Sequence, residues 1–161
     1  MDITHAQLDT MDIQILSHLN EDGRKSFTDI SNEMNVSVGM IRNRYQKLVE
    51  SKILHIVGWA DPLKVGLEAY ARLNLKVHPA EKINAVCDQL VKIPEVSFVA
   101  ITSGNYNIEI NMTCKNNKHL LDTVISKVHA IEGITDSNTT MYMDVRKWAA
   151  HAIEHADTVE K

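Results

Sequence analysis

The stretch SFTDISNEMNVSVGMIRNRYQKLVES, residues 26–51, holds two short helical patterns separated only by Asn35 and Val36. Ser26 followed by Asp29 makes a capping-box pattern, with Asp in place of the usual Glu, and opens a helix with Phe27, Ile30 and Met34 on its inner side. Asn35 suits the left-handed position that ends such a helix, and Ser37 suits the N-cap of the next. There Ile41, Tyr45, Leu48 and Val49 recur at helical spacing as an apolar stripe, leaving Arg42, Asn43, Gln46 and Lys47 outside. Two serine-opened helices this close together predict a helix-turn-helix.

The outward face carries the chemistry that reads duplex DNA. Arg pairs bidentately with guanine, Asn and Gln with adenine, and Lys or Arg with phosphate. In helix-turn-helix docking the N-terminal part of the second helix enters the major groove. That placement nominates Ser37, Gly39, Met40, Arg42 and Asn43 for the groove, with Arg44 and Lys47 on phosphates or supporting the helix. Gly39 would allow close backbone approach, at ~1 kcal/mol of helix propensity. The spacing of Arg44 fits a structural salt bridge to an N-terminal acid equally well. A plain three-helix bundle with a solvated face is the competing reading of the whole pattern.

Charge sharpens the choice. A net charge of −4 argues against binding nucleic acid through overall charge. Its distribution is uneven: residues 1–35 carry seven acids against Arg24 and Lys25, whereas residues 36–55 carry Arg42, Arg44, Lys47 and Lys52 against Glu50 alone. Exposed charges are screened beyond ~8 Å at physiological salt, so a local basic strip can face DNA while the rest stays acidic.

Upstream, Leu8, Met11, Ile15, Leu16 and Leu19 recur at helical spacing, with Asp9 and Asp12 placed as cap and first-turn acid. Gly23 is expected to supply a left-handed stop. The chain is 44% apolar and 24% charged, an ordinary globular mixture. No apolar run approaches the ~18 residues of a membrane span, and MDITHAQLDT lacks the regions of an export signal. The cysteines, Cys87 and Cys114, make no disulfide framework. A cytoplasmic protein is expected, with no membrane association.

From His55 the pattern changes. HIVGWA (55–60) is strand-like and DPLKVG (61–66) a connector. Then AYARLNLKV (69–77), AEKINAVCDQLVKI (80–93) and PEVSFVAI (94–101) read as strand, helix, strand, and YNIEINMTC (106–114), NKHLLDTVISKVHAI (117–131) and EGITDSNTTMYM (132–143) repeat the order. The helical apolar positions correspond at an offset of 38: Ile83 with Leu121, Val86 with Val124, Cys87 with Ile125, Leu90 with Val128, Ile93 with Ile131. Two such units predict βαββαβ, a four-stranded antiparallel sheet with both helices on one face. The uncovered side would carry alternate residues from segments such as 73–77 and 108–112. An open face that apolar is expected to meet a partner, which predicts at least a homodimer.

In this order and spacing, LDTMDIQIL (8–16), EDGRKSFTDIS (21–31), VSVGMIRNRYQKLVESKIL (36–54), DPLKVG (61–66) and SGNYNIEI (103–110) resemble the Lrp/AsnC family of feast/famine transcription regulators over nearly the whole chain. The resemblance implies an α+β fold: an N-terminal helix-turn-helix domain followed by a βαββαβ ferredoxin-like (ACT-like) sensing domain. It implies a DNA-binding domain at 1–54 with a recognition helix at about 37–51, a linking strand and connector at 55–66, a ligand-sensing and oligomerisation domain at 67–148, and a C-terminal tail at 149–161. Implied partners are double-stranded promoter or operator DNA, a small-molecule effector, and a homodimer or octamer. The effector would be an amino acid or other small metabolite bound between sensing domains of neighbouring subunits, with no cofactor required. The resemblance also nominates the loop Thr102, Ser103, Gly104, Asn105, Tyr106 and Asn107 as the effector site.

Two residues depart from the family pattern. Lys52 stands where the family usually has Gly, so the preceding helix is expected to end differently. Asn107 stands where Asp is common, and an amide offers an effector's ammonium group only hydrogen bonds.

The remaining candidates are weaker. His151 and His155 stand at i, i+4, a metal-binding spacing, but without the H-E-x-x-H order, so a surface helix end is the preferred reading. Cys87 reads as a small core residue and Cys114 as the end of a strand. Trp59 and Trp148 read as interface anchors or simple packing, an interface being favoured for Trp59 because the family resemblance implies a linking strand that pairs between subunits. With no Gly-rich phosphate loop and no nucleophile beside a recognisable base motif, a small α+β enzyme is the less favoured class. A metabolite-binding oligomeric module with little DNA affinity is the other alternative.

Overall fold

The computed structural model describes residues 8–147. They fall into two compact units, one reaching to Trp59 and the other spanning Ala60–Arg146.

The first unit is three helices: α1 (Thr10–Glu21), α2 (Phe27–Met34) and α3 (Val38–Glu50). Each start is set by a local side chain. Asp9 and Asp12 form a reciprocal capping box on α1. Ser26 Oγ accepts the Asp29 N–H of α2, and Ser37 Oγ accepts the Met40 N–H of α3. In the Ser26 pair the return bond runs from the hydroxyl to the Asp29 carboxylate rather than from the cap backbone. Asn35 ends α2 at φ 54. Ile13, Ile15, Leu16, Leu19, Ile30, Ile41 and Leu48 close the core, and the Phe27 and Tyr45 rings pack 4.9 Å apart beside it. Val49, expected in the stripe, is 40% exposed, because α3 buries a narrower face centred on Ile41 and Leu48.

Three local expectations change. Gly23 is not in the left-handed region; α1 ends at an extended Asp22, whose carboxylate accepts the Arg24 N–H. Lys52 does take φ 59, and the Ile53 and Leu54 N–H groups then close on the Leu48 carbonyl. The helix therefore ends as a glycine would end it, with Lys52 bearing the strain. The segment 55–60, expected as a linking strand, has no regular structure and pairs with no strand among the described residues.

The second unit is a four-stranded antiparallel sheet in the order β2-β3-β1-β4, with β1 at Ala69–Val77, β2 at Val96–Ile101, β3 at Ile108–Cys114 and β4 at Ile134–Met141. Helices α4 (Ile83–Leu90) and α5 (Asn117–Thr123, continuing as a π turn over Val124–Val128) complete the βαββαβ order. Of the repeated positions, Val86, Leu90 and Ile93 are buried, as are Val124, Val128 and Ile131. Leu121 and Ile125 are not: they are 58% and 57% exposed, and Leu120 is buried instead.

The sheet overturns one further expectation. Leu73, Leu75 and Val77 of β1 and Ile108, Ile110 and Met112 of β3 are in the core with the helices' apolar residues. The opposite face of these two strands carries Tyr70, Arg72, Asn74, Lys76, Glu109, Asn111 and Thr113. On β1 and β3 the open face is largely polar, because each of these strands has one apolar phase and the helices take it; Tyr70 and, from β2, Phe98 stand on the same face. Among the described residues, no helix is long and apolar enough to cross a membrane.

Candidate nucleic-acid interface and effector loop

Helix α3 is pinned from behind. Ile41 and Leu48 are buried beneath it, and Arg44 Nη1 donates to Asp9 Oδ1 at 2.8 Å and to Asp12 Oδ1 at 2.7 Å. Of the two roles open to Arg44, the structural salt bridge is the one formed. Burial pushes the Asp9 carboxyl up, but the Asp12 N–H and the Arg44 guanidinium outweigh it and hold the group below its ordinary value.

The outer surface of α3 is different. Ser37, Gly39, Met40, Arg42, Asn43 and Lys47 are all exposed. Among the described residues, the side chains of Arg42, Asn43 and Lys47 have no hydrogen bond or ion pair, so their donors point to solvent unspent. Gln46 is spent in part, donating to Glu50. A Cβ on Gly39 would meet nothing within 4 Å, so the chain's own packing does not call for glycine there.

The loop between β2 and β3 is closed by its own hydrogen bonds. Thr102 donates from its backbone to the Asn107 carbonyl and from its hydroxyl to the Tyr106 carbonyl, around Gly104 at φ 116. Asn107 is not available to a ligand: its Oδ1 accepts the Val77 N–H at 2.8 Å and its Nδ2 donates to the Val77 carbonyl at 3.0 Å. The amide continues the β1–β3 ladder past its last backbone pair. Aspartate could make the first of these bonds but not the second. Ser103 and Asn105 keep exposed side chains without a hydrogen bond among the described residues. The Tyr106 hydroxyl donates to Asp136 Oδ2 on β4 at 3.3 Å. Sequence reasoning missed Asp136, since only strand pairing brings positions 106 and 136 together.

The described residues hold no group of three or more metal-ligating side chains. Trp148, His151, His155 and the tail at 149–161 lie outside them. Burial pushes both the Cys87 and the Cys114 thiols up, away from the reactive thiolate. Trp59 is 59% exposed.

The profile of the AsnC-type helix-turn-helix domain matches residues 8–49, and that of the Lrp/AsnC ligand binding domain matches residues 68–149. An uncharacterized HTH-type transcriptional regulator of Pyrococcus abyssi is 34% identical over 88% of this chain and 90% of its own. The structure of E. coli AsnC superposes with a TM-score of 0.82 at 21% identity, over 89% of this chain and 97% of that one. A Neisseria meningitidis transcriptional regulator, determined as an L-Met complex, does so with a TM-score of 0.80 at 20% identity, over 88% of this chain and 94% of that one.

Proposed function

The chain belongs to the Lrp/AsnC family of transcriptional regulators, and on that premise we propose how its own residues read DNA and sense a ligand. Helix α3 is the reading element. Ser37, Gly39, Met40, Arg42 and Asn43 approach the major groove, Lys47 neutralises phosphate, and Arg44 holds the helix at its angle. The observation that carries this reading is the division of cations on α3: Arg42 and Lys47 are exposed and unpaired, while Arg44 turns inward to Asp9 and Asp12. A plain bundle with a solvated face needs no such division.

The domains are assigned as 1–54 for DNA binding, 55–66 as linker, 67–148 for sensing and association, and 149–161 as tail. The effector is an amino acid. Its carboxylate meets the backbone N–H groups of the Gly104 turn beside Ser103 and Asn105, and its ammonium group meets Asp136, since Asn107 is spent on Val77. The L-Met bound by the Neisseria regulator supports this choice of ligand class. The protein works as a homodimer or a larger assembly of dimers, reading half-sites about one helical turn apart or multiples of it. Its action is regulatory rather than catalytic.

The test is titration of the chain against duplex from upstream of its own gene across a salt series, beside Arg42→Ala. Nanomolar binding with a steep salt slope, weakened by Arg42→Ala at unchanged melting temperature, supports α3 as the reader. Absence of binding to any duplex at low salt would overturn the reading.

A further inference from the structure

Helix α3 buries Ile41 and Leu48, with Arg44 and Tyr45 half-buried beside them. These residues fix the side that faces the domain, and so the crest that stands directly opposite. At about 100° per residue, Gly39, Asn43, Gln46 and Glu50 fall within roughly 40° of that crest. Arg42 falls about 80° to one side of it and Lys47 about 60° to the other. All six are exposed.

Crest and flanks differ in chemistry. The crest begins at Gly39, where a Cβ would meet nothing, so no packing within the domain accounts for the bare backbone. One turn on stands Asn43, whose amide takes no hydrogen bond among the described residues. On the next turns Gln46 donates to Glu50 at 3.1 Å, which leaves the end of the crest acidic and partly satisfied. The flanks are the two long cations, both without a hydrogen bond or ion pair among the described residues.

A helix with its side chains is ~10–12 Å across, and the major groove is ~12 Å wide. In such a fit the crest faces base edges and each flank faces one phosphate wall. A short amide reaches a base only from the crest, whereas Arg42 and Lys47 are long enough to reach one wall each. Glu50 is repelled by phosphate and lifts the C-terminal end, so Gly39 and Asn43 lie deepest.

We propose that Asn43 is the residue that selects sequence, pairing with one adenine in each half-site, while Arg42 and Lys47 grip the flanking phosphates and select nothing. The asparagine carbonyl accepts from adenine N6 and its amide donates to N7. Gly39 leaves room for that approach. The proposal rests on α3 as the reading helix and assigns specificity within it.

The experiment uses the full chain and duplexes selected from a random pool by the parent, by Asn43→Ala and by Arg42→Ala. The parent is expected to select an adenine in each half-site that Asn43→Ala no longer selects, while Arg42→Ala keeps the parent's sequence. Each adenine of the selected duplex is then replaced in turn by 7-deazaadenine, which lacks the N7 acceptor. At the selected position this should weaken the parent roughly 5- to 10-fold and leave Asn43→Ala unchanged. Arg42→Ala and Lys47→Ala should each lower the salt slope by about 1 and keep the adenine discrimination. An Asn43→Ala variant that selects the parent's sequence would overturn the assignment while leaving α3 as the reader. So would a parent indifferent to every 7-deazaadenine, or a guanine preference lost in Arg42→Ala. A parent that binds no duplex at low salt would remove the reading of α3 and this proposal with it. The base replacement is made in the DNA, so that arm decides the question even if a variant does not fold.

Discussion

Arg44 Nη1 lies 2.8 Å from each carboxylate oxygen of Asp9, so a cation on the DNA-facing helix is turned back into the domain. Three functions meet at that point. Asp9 caps α1, Arg44 ties α3 to the cap, and the angle of α3 follows from both.

Arg42→Ala and Arg44→Ala should therefore fail differently. Removing Arg44 leaves two part-buried carboxylates facing each other without their cation, and a stability loss of ~1–3 kcal/mol is expected. Removing Arg42 takes away no contact and should leave stability within ~0.5 kcal/mol. Denaturant melts beside a binding titration separate the two: Arg42→Ala should weaken binding with an unchanged melt, and Arg44→Ala should lower the melt.

Asn107→Asp keeps the acceptor for the Val77 N–H but sets a carboxylate against the Val77 carbonyl, where the amide now donates. A loss of ~1–2 kcal/mol is expected for the second unit, even though Asp is the commoner residue in the family pattern. Asp136→Asn removes the proposed ammonium partner from an exposed strand and should leave stability nearly unchanged. Calorimetric titration with amino acids would then register weaker binding for Asp136→Asn. Binding equal to the parent's would return the ammonium contact to the loop itself.

Acid stability should turn on Glu95. The Lys127 ammonium bonds both of its oxygens, at 2.8 and 2.9 Å. With further help from a backbone N–H and His119, against the effect of burial, it holds the Glu95 carboxyl below the ordinary glutamate value of 4.5. A carboxyl whose folded value is depressed contributes stability above its unfolded value and loses it as pH falls through the folded one. Melting of the second unit should therefore steepen its decline below about pH 4.5, and Glu95→Gln should flatten that limb. Thermal melts from about pH 6 to about pH 3 would check this, an unchanged slope in Glu95→Gln being the contrary result.

Lys52→Gly should stabilise the first unit. Lys52 holds φ 59 while Ile53 and Leu54 close on Leu48. Relief of the left-handed strain is worth ~1–2 kcal/mol, and the greater freedom of unfolded glycine returns part of it. A net gain of up to ~1 kcal/mol in a denaturant melt is the expected outcome.

What could be read from the chain alone was set by bonds and contacts close along it. Ser26, Asn35 and Ser37 mark their helix ends because each acts on backbone within a few residues. Strand β1 falls on the residues 69–77 that the pattern proposed, because alternation of apolar and polar residues is itself the strand's signature. Alternation says which residues share a face and not which face the helices cover, so the largely polar open face of β1 and β3 had to come from packing. Arg44 had two destinations in sequence, and it met Asp9 and Asp12 only when α1 crossed behind α3. Asn107 read as a weakened ligand until strand pairing set it against Val77, 30 residues away. The segment 55–60 has a strand's composition but pairs with no strand among the described residues: composition does not supply the second strand that a ladder needs. Caps and periodicity are short-range and survive in the order of residues. The destinations of charges and amides are settled by whichever partner the tertiary fold brings within about 3 Å.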